Sequence, residues 1–267
     1  MGEFSRALIE RSGYGREGFA VGYDRFRPRP PEVLLDLLCR YARTERPALI
    51  VDLGCGTGLS TRVWSGRAKR IVGIEPNSAM RAAAEDTPGV EYHEAYAHET
   101  GLSQDTADIV TASQSLHWME PEPTFAEAAR ILRHGGVFAA YDYDWRPAVD
   151  PELDQAFFEY HARRREIRAR HGIQQGADRW AKHEHLDRMR ASGCFRFCRE
   201  ILIHSVEDGS AERVGGLARS LGLPVATENA EFERELRIDE LESVAHSVLG
   251  NRTVPFVFGY WLRVGVV

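Results

Sequence analysis

Apolar positions along the chain fall into short continuous runs separated by helical periodicities, which predicts alternating strands and helices. Ala48 to Leu53 is apolar apart from Asp52, with β-branched Ile50 and Val51 at its centre, as in a buried parallel strand. Before it, Pro30 and Pro31 open a helix in which Leu34, Leu35, Leu37, Leu38 and Tyr41 recur at helical spacing. After it, a helix is expected to begin within Leu59–Ser65. A second strand then follows over Arg70–Glu75, and Asn77 and Ser78 cap a helix over Ala79–Glu85. Short strands are expected at Val90–Ala95 and Ala107–Ala112. A helix spans Glu120–Arg133, with Phe125, Ala128, Ala129 and Leu132 on one face and His134-Gly135-Gly136 as its C-cap. Val137–Tyr141 is a fifth strand, so the amino-terminal half reads as a doubly wound parallel sheet.

The carboxyl half departs from that alternation. Asp150-Pro151 caps a long helix reaching His171, acidic at its front and arginine-rich at its back, which suits the helix dipole. Further helices are expected over Asp178–Ala191, Ala211–Leu221 and Asp239–Leu249. Phe195–Val206 alternates like a strand, and Val254–Val264 is a final apolar strand. The expected division is a single domain over 1–267. Within it, an N-terminal helical segment (1–45) covers the site and a core (46–145) binds cofactor. Helical lid elements occupy 146–192 and 209–250, and the last strands 193–208 and 251–267.

The chemistry concentrates where the first strand meets Gly54-Cys55-Gly56-Thr57-Gly58. Glycines at alternate positions remove side chains where backbone passes close to a ligand, and a following helix N-terminus would point at that ligand. The position where a dinucleotide fingerprint needs a third Gly or Ala holds Leu59, and no Gly-Lys-Ser/Thr follows. Glu75 ends the second strand, where a carboxylate can accept both hydroxyls of a ribose.

The Asp-x-Gly-x-Gly-x-Gly stretch together with Glu75 resembles the first two motifs of class I S-adenosylmethionine-dependent methyltransferases. His117-Trp118 resembles a pair found in small-molecule enzymes of the ubiquinone-biosynthesis and trans-aconitate type, a resemblance covering residues 20–145. It implies a Rossmann-like seven-stranded sheet whose last strand runs antiparallel beside the fifth. It implies S-adenosylmethionine as cofactor, with Asp52, Gly54, Gly56, Gly58, Ser113 and Gln114 around the methionyl end. Glu75 would hold the ribose with Pro76 beside it, and Met80 would pack on the adenine. Ala97 and His98 would neighbour the adenine, although no aspartate stands after the third strand. Tyr23 and Arg27 would close the site from the amino-terminal side, Arg27 pairing with the cofactor carboxylate. His117 is the candidate base and Tyr143 the second catalytic candidate, with Asp142, Asp144 and Trp145 nearby for the acceptor.

Composition narrows the remaining choices. The 267 residues are 43% hydrophobic with net charge −6, so no global basic field draws nucleic acid or an anionic membrane. Arg163, Arg164, Arg165, Arg168 and Arg170 go round their helix instead of forming a docking stripe. No run of about 18 apolar residues predicts a transmembrane helix, and Met1–Glu10 lacks a signal-peptide core. A soluble cytoplasmic protein is expected, monomeric or homodimeric. The four cysteines read as reduced thiols, and no set of side chains has metal spacing. The expected function is methyl transfer to a small organic metabolite on oxygen, nitrogen or carbon. The alternatives are a cofactor-binding cyclase or sensor that does not methylate, and a macromolecule methyltransferase.

Overall fold

Seven strands form one sheet in the order β3-β2-β1-β4-β5-β7-β6. The computed structural model describes residues 24–171, 180–220 and 234–267. The strands are β1 (Leu49–Leu53), β2 (Arg70–Ile74), β3 (Val90–His93), β4 (Ala107–Ser113), β5 (Leu132–Tyr143), β6 (Phe197–Gly209) and β7 (Val254–Val266). The first five are parallel, whereas β7 runs antiparallel to both β5 and β6 and lies between them. The helices are α1 (Glu32–Tyr41), α2 (Ser78–Ala82), α3 (Pro121–Ile131), α4 (Pro151–Arg170), α5 (His185–Ala191), α6 (Ala211–Ser220) and α7 (Ile238–Leu249). This is the Rossmann-like doubly wound arrangement that the alternation and the resemblance predict.

Strand alternation divides the core in two. Ile50, Ile71 and Ile109 lie side by side and face a layer containing α1, α4, α6 and α7. Val51, Val72 and Val110 face the other way, toward Phe125 of α3 and Met189 of α5. Every residue of β1 is buried, which is why its sequence is a run of apolar residues and not an alternation. Chain order reverses between β1 and β4, which are neighbours in space. A crevice outside the carboxyl ends of strands is expected at such a point.

Two local expectations fail. The helix expected within Leu59–Ser65 is a single 3-10 turn, Arg62–Trp64. Ser60 and Thr61 turn their hydroxyls onto Asp52, a local bond that competes with regular helix. His134-Gly135-Gly136 does not cap α3, which ends at Ile131. Leu132 is already extended and pairs with Ala107. Leu132 is buried, so the chain enters the sheet early. The register then slips between Ala107 and Ile109, and Gly135, at φ 77°, absorbs the slip.

Glu127 on α3 ties down the loop before β4. Its carboxylate accepts from the Thr100 amide (2.9 Å) and hydroxyl (2.6 Å) and from Arg130 Nε (2.6 Å). Burial pushes this carboxyl up, but the bonds from Arg130 and Thr100 outweigh it and hold the pKa at about 2. Because the folded value lies below the unfolded one, the stabilisation is complete above about pH 4.3. It is lost as pH falls through the folded value. Glu127→Gln is expected to cost about 1–2 kcal/mol at neutral pH. Urea titrations repeated down to pH 2 should show that difference shrinking.

Candidate functional site

The glycine turn is strung between two acids. Asp52 is fully buried beneath it; Oδ2 accepts from Ser60 Oγ and Thr61 Oγ1, and Oδ1 from Thr111 Oγ1 of β4, each at 2.7 Å. Burial pushes this carboxyl up, against the pull of the three hydroxyls. Glu75, at the end of β2, lies above the turn. It accepts from the Gly56 amide on Oε2 (3.0 Å) and the Asn77 amide on Oε1 (2.9 Å). Burial raises the Glu75 carboxyl too; those amides and Arg81 oppose the rise, and Asp52 adds to it.

Gly54 and Gly56 have φ of 65° and 57°, in the left-handed region. A Cβ on Gly54 would lie 2.6 Å from Met119 Cε and 2.8 Å from Ser115 Cβ. Gly58 serves packing instead: a Cβ there would sit 2.1 Å from the Tyr92 hydroxyl on β3.

A cleft opens over this turn, at the carboxyl ends of β1, β2 and β4. Gly54, Gly56, Glu75, Pro76, Met80, Ala97, His98, Ser113, Gln114, Tyr143 and Arg27 all line it. Met80 is held there because Asn77 Oδ1 caps α2, accepting from the Ala79 (3.0 Å) and Met80 (3.1 Å) amides. Tyr96 and His98 stack at 5.5 Å beside Ala97. Arg27 is buried, donates to the Ser220 carbonyl (2.7 Å) and sits 4.2 Å over the Trp145 ring. Its segment is tied to the turn through Asp24, which receives the Thr57 hydroxyl and Arg62. Tyr23 lies outside the described residues.

Gln114 adopts φ 50°, a conformation that a non-glycine residue takes when its surroundings dictate it. Its amide is fixed at both ends: Nε2 donates to the Tyr143 carbonyl (3.0 Å) and Oε1 accepts from Lys182 Nζ.

Other candidates lie off the cleft wall. Asp52 and Gly58 act from beneath the turn. His117 is buried on the 3-10 turn Leu116–Trp118, and it is Trp118 and Met119 that reach the cleft. The His117 ring packs on Trp118 (5.3 Å), and its carbonyl accepts from the Trp180 amide (2.9 Å). Asp142 is bonded to Arg263 (2.9 Å) and Lys182 (2.7 Å), and Asp144 to Arg146 through both carboxylate oxygens. Burial raises the Asp144 carboxyl, but Arg146 outweighs it and holds the group below the ordinary range.

The cleft also includes Tyr260 and Glu120, which sequence reasoning does not mark. Tyr260 belongs to β7 and reaches the site only because β7 inserts beside β5, where it pairs with Tyr143. Among the described residues no group of three or more His, Cys, Asp or Glu side chains is placed to hold a metal ion. No described helix is long and apolar enough to cross a membrane.

The carboxylate over a bare glycine turn lies at the carboxyl ends of the strands, where a doubly wound sheet takes its ligands. Residues 51–140 match the family profile "Methyltransferase domain". CRG1 of Saccharomyces cerevisiae, described as an S-adenosylmethionine-dependent methyltransferase, is 30% identical over 162 residues, 57% of this chain and 55% of that protein. The ubiquinone/menaquinone biosynthesis C-methyltransferase UbiE of Campylobacter jejuni is 32% identical over 106 residues, 36% of this chain and 45% of its own length. The matched region spans about half the length of these relatives. A solved structure from Anaeromyxobacter dehalogenans, assigned as a type II methyltransferase, shares the fold with a TM-score of 0.66 at 24% identity. That likeness covers 90% of this chain and 98% of the other. Residues 51–140 thus match a methyltransferase domain, and these likenesses support a class I S-adenosylmethionine-dependent methyltransferase.

Asp52→Ala should leave the Ser60, Thr61 and Thr111 hydroxyls without their shared acceptor. The expected cost is about 3 kcal/mol in denaturant titrations, with Asp52→Asn losing less because one acceptor oxygen survives.

Proposed function

We propose that the protein transfers a methyl group from S-adenosylmethionine to a small organic acceptor. The observation that carries this reading is the Glu75 carboxylate poised over the Gly54–Gly56 turn at the switch point between β1 and β4. The residues fit the group. Both Glu75 oxygens keep lone pairs for a ribose diol beyond the two amide bonds they accept. Gly54 presents bare backbone where a side chain would collide with Met119 and Ser115. Met80 and the Ala97-His98 stretch offer an apolar and a polar flank for an adenine, and Arg27 a cation for a carboxylate.

When bound, the cofactor supplies an electrophilic sulfonium methyl, so the protein's part is alignment and exclusion of water. Ser113 and Gln114 border the methionyl side, and the hydrogen bonds at both ends of the Gln114 amide hold that side chain rigid against it. Tyr143 and Tyr260, whose rings lie 5.5 Å apart, form with Trp118 an aromatic wall for the acceptor. Pro28 and Pro30 close it from the amino-terminal side. His117 stands behind Trp118, so we assign it a positioning role through that ring and not the role of base. The acceptor, the atom methylated and any further substrate contacts belong to this same proposal.

Glu75→Ala is expected to weaken S-adenosylhomocysteine binding roughly ten- to hundredfold in calorimetry, the range for losing hydrogen bonds to a charged group. Unchanged affinity would overturn the cofactor assignment. His117→Ala should lower kcat while leaving the shape of the pH–rate profile intact. Loss of a titrating limb near neutrality would instead make it the base.

A further inference from the structure

Among the described residues the sheet ends on the long strand β6, with no further strand beside it. Among the described residues β6 is bonded to β7 alone, and that pairing runs through thirteen consecutive residue pairs with no bulge. The segment Arg196–Gly209 contains no proline and no lysine. An edge of this length without bulge, proline or lysine is a template for another strand.

Its solvent-facing row alternates polar with apolar residues, Arg196, Glu200, His204 and Asp208 with Cys198, Leu202 and Val206. Leu202 is 70% exposed and Val206 58%, and their register partners on β7, Trp261 and Val257, are 38% and 36% exposed. Between them His204 pairs with Gly259, where an added Cβ would meet only open space. The opposite side of β6 packs Ile201 and Ile203 against the core.

We propose that this edge pairs antiparallel with the same edge of a second copy of the chain, making one continuous sheet through two protomers. A two-fold axis perpendicular to the sheet keeps every side chain on its own face, so residues of like parity oppose one another. With the axis at Leu202, Leu202 faces the partner's Leu202, and Ile201 faces the partner's Ile203. Glu200 then faces the partner's His204, and Arg196 faces the partner's Asp208. Arg196, Glu200, His204 and Asp208 are exposed; Arg196 Nε already donates to the Val267 carbonyl (3.2 Å) and Glu200 already meets Arg263 (3.0 Å), so these two would share their charge with the partner. Cys198 falls opposite the partner's Val206. Apolar side chains thus meet apolar ones except at Phe197, which faces the partner's Glu207; Arg199 faces the partner's Ser205, and no like charges oppose.

Moving the axis one residue in either direction destroys that agreement. At Ile203 it sets Glu200 against the partner's Val206; at Ile201 it sets Glu200 against the partner's Leu202. The exposed row Trp261–Leu202 also becomes continuous with its copy across the axis, converting two surface patches into one covered strip. Across the row of exposed residues, the register centred on Leu202 is the one that keeps Glu200 and Arg196 opposite His204 and Asp208.

Sedimentation velocity of the full chain across the micromolar range should show a reversible or stable dimer. Leu202→Lys, at an exposed position, places two cations across the axis and should raise the dissociation constant about tenfold or more, with the melting temperature of the monomer kept. Arg196→Asp should weaken the dimer by opposing the partner's Asp208, and adding Asp208→Arg in the same chain should restore it. A monomer at every concentration would overturn the proposal. So would a dimer indifferent to Leu202→Lys, or a charge swap that fails to restore association.

Discussion

A carboxylate buried without compensation would unfold a domain of this size; Asp52 is buried and everything in the site is arranged around its compensation. Three hydroxyls satisfy it, two from the residues after the glycine turn and one from β4. Those bonds fold the chain back under itself immediately after Gly58. Within the turn the Gly54 and Cys55 amides donate to the Ile74 carbonyl and the Gly58 amide to the Cys55 carbonyl, while that of Gly56 donates to Glu75. Burial raises both acids, and the Asp52 charge adds to the rise at Glu75. Such perturbed pairs concentrate where ligands bind, because a ligand's donors can relieve what the fold leaves strained.

The second support of the site comes from the far end of the chain. Insertion of β7 beside β5 brings Arg263 onto Asp142 and Tyr260 onto Tyr143. Arg263 also meets Glu200 of β6 at 3.0 Å, and Asp142 meets Lys182, which in turn donates to Gln114. A line of alternating charges thus runs from the edge strand to the cleft wall. Its value lies less in net stability than in fixing geometry, since a slip of one residue in β7 would turn Arg263 to the other face. The strained backbone of Gln114 is tolerable only inside such a frame.

This division explains which parts were legible in the sequence. Strands β1, β2, β4 and β5 and the glycine turn are local patterns, readable because burial on both sides leaves nearly unbroken apolar runs; β3, at the sheet edge, has no fully buried residue. Glu75, Met80 and Gln114 lie on the cleft because they sit at strand ends or one turn beyond, positions fixed by the fold itself. Asp52 also belongs to the motif, but its spacing does not reveal which way the side chain goes. Ser60 and Thr61, eight and nine residues later, decide that. His117 is the converse case. Its place after β4 marks it for the cleft, yet the 3-10 turn directs Trp118 and Met119 to the cleft and leaves His117 behind them. Gly135 and Gly136 resemble a helix end in the sequence because a bulge and a C-cap make the same demand on the backbone.

On the reading proposed above, the asymmetry between the two sides of the cleft has a physical origin. The cofactor side is built from consecutive stretches of one βαβ unit and its neighbour, so its chemistry must recur at fixed spacing. The acceptor side is assembled from Pro28 and Pro30, Trp118, Tyr143 and Tyr260, four segments separated by long intervals of chain. No spacing relates them, and each can change without disturbing the Asp52–Glu75 framework. Aromatic rings and prolines offer shape and apolar surface and little directional bonding. Selectivity at such a wall depends on size and fit, so substitution at Tyr143 or Tyr260 should redirect the choice of acceptor before it weakens the hold on the cofactor.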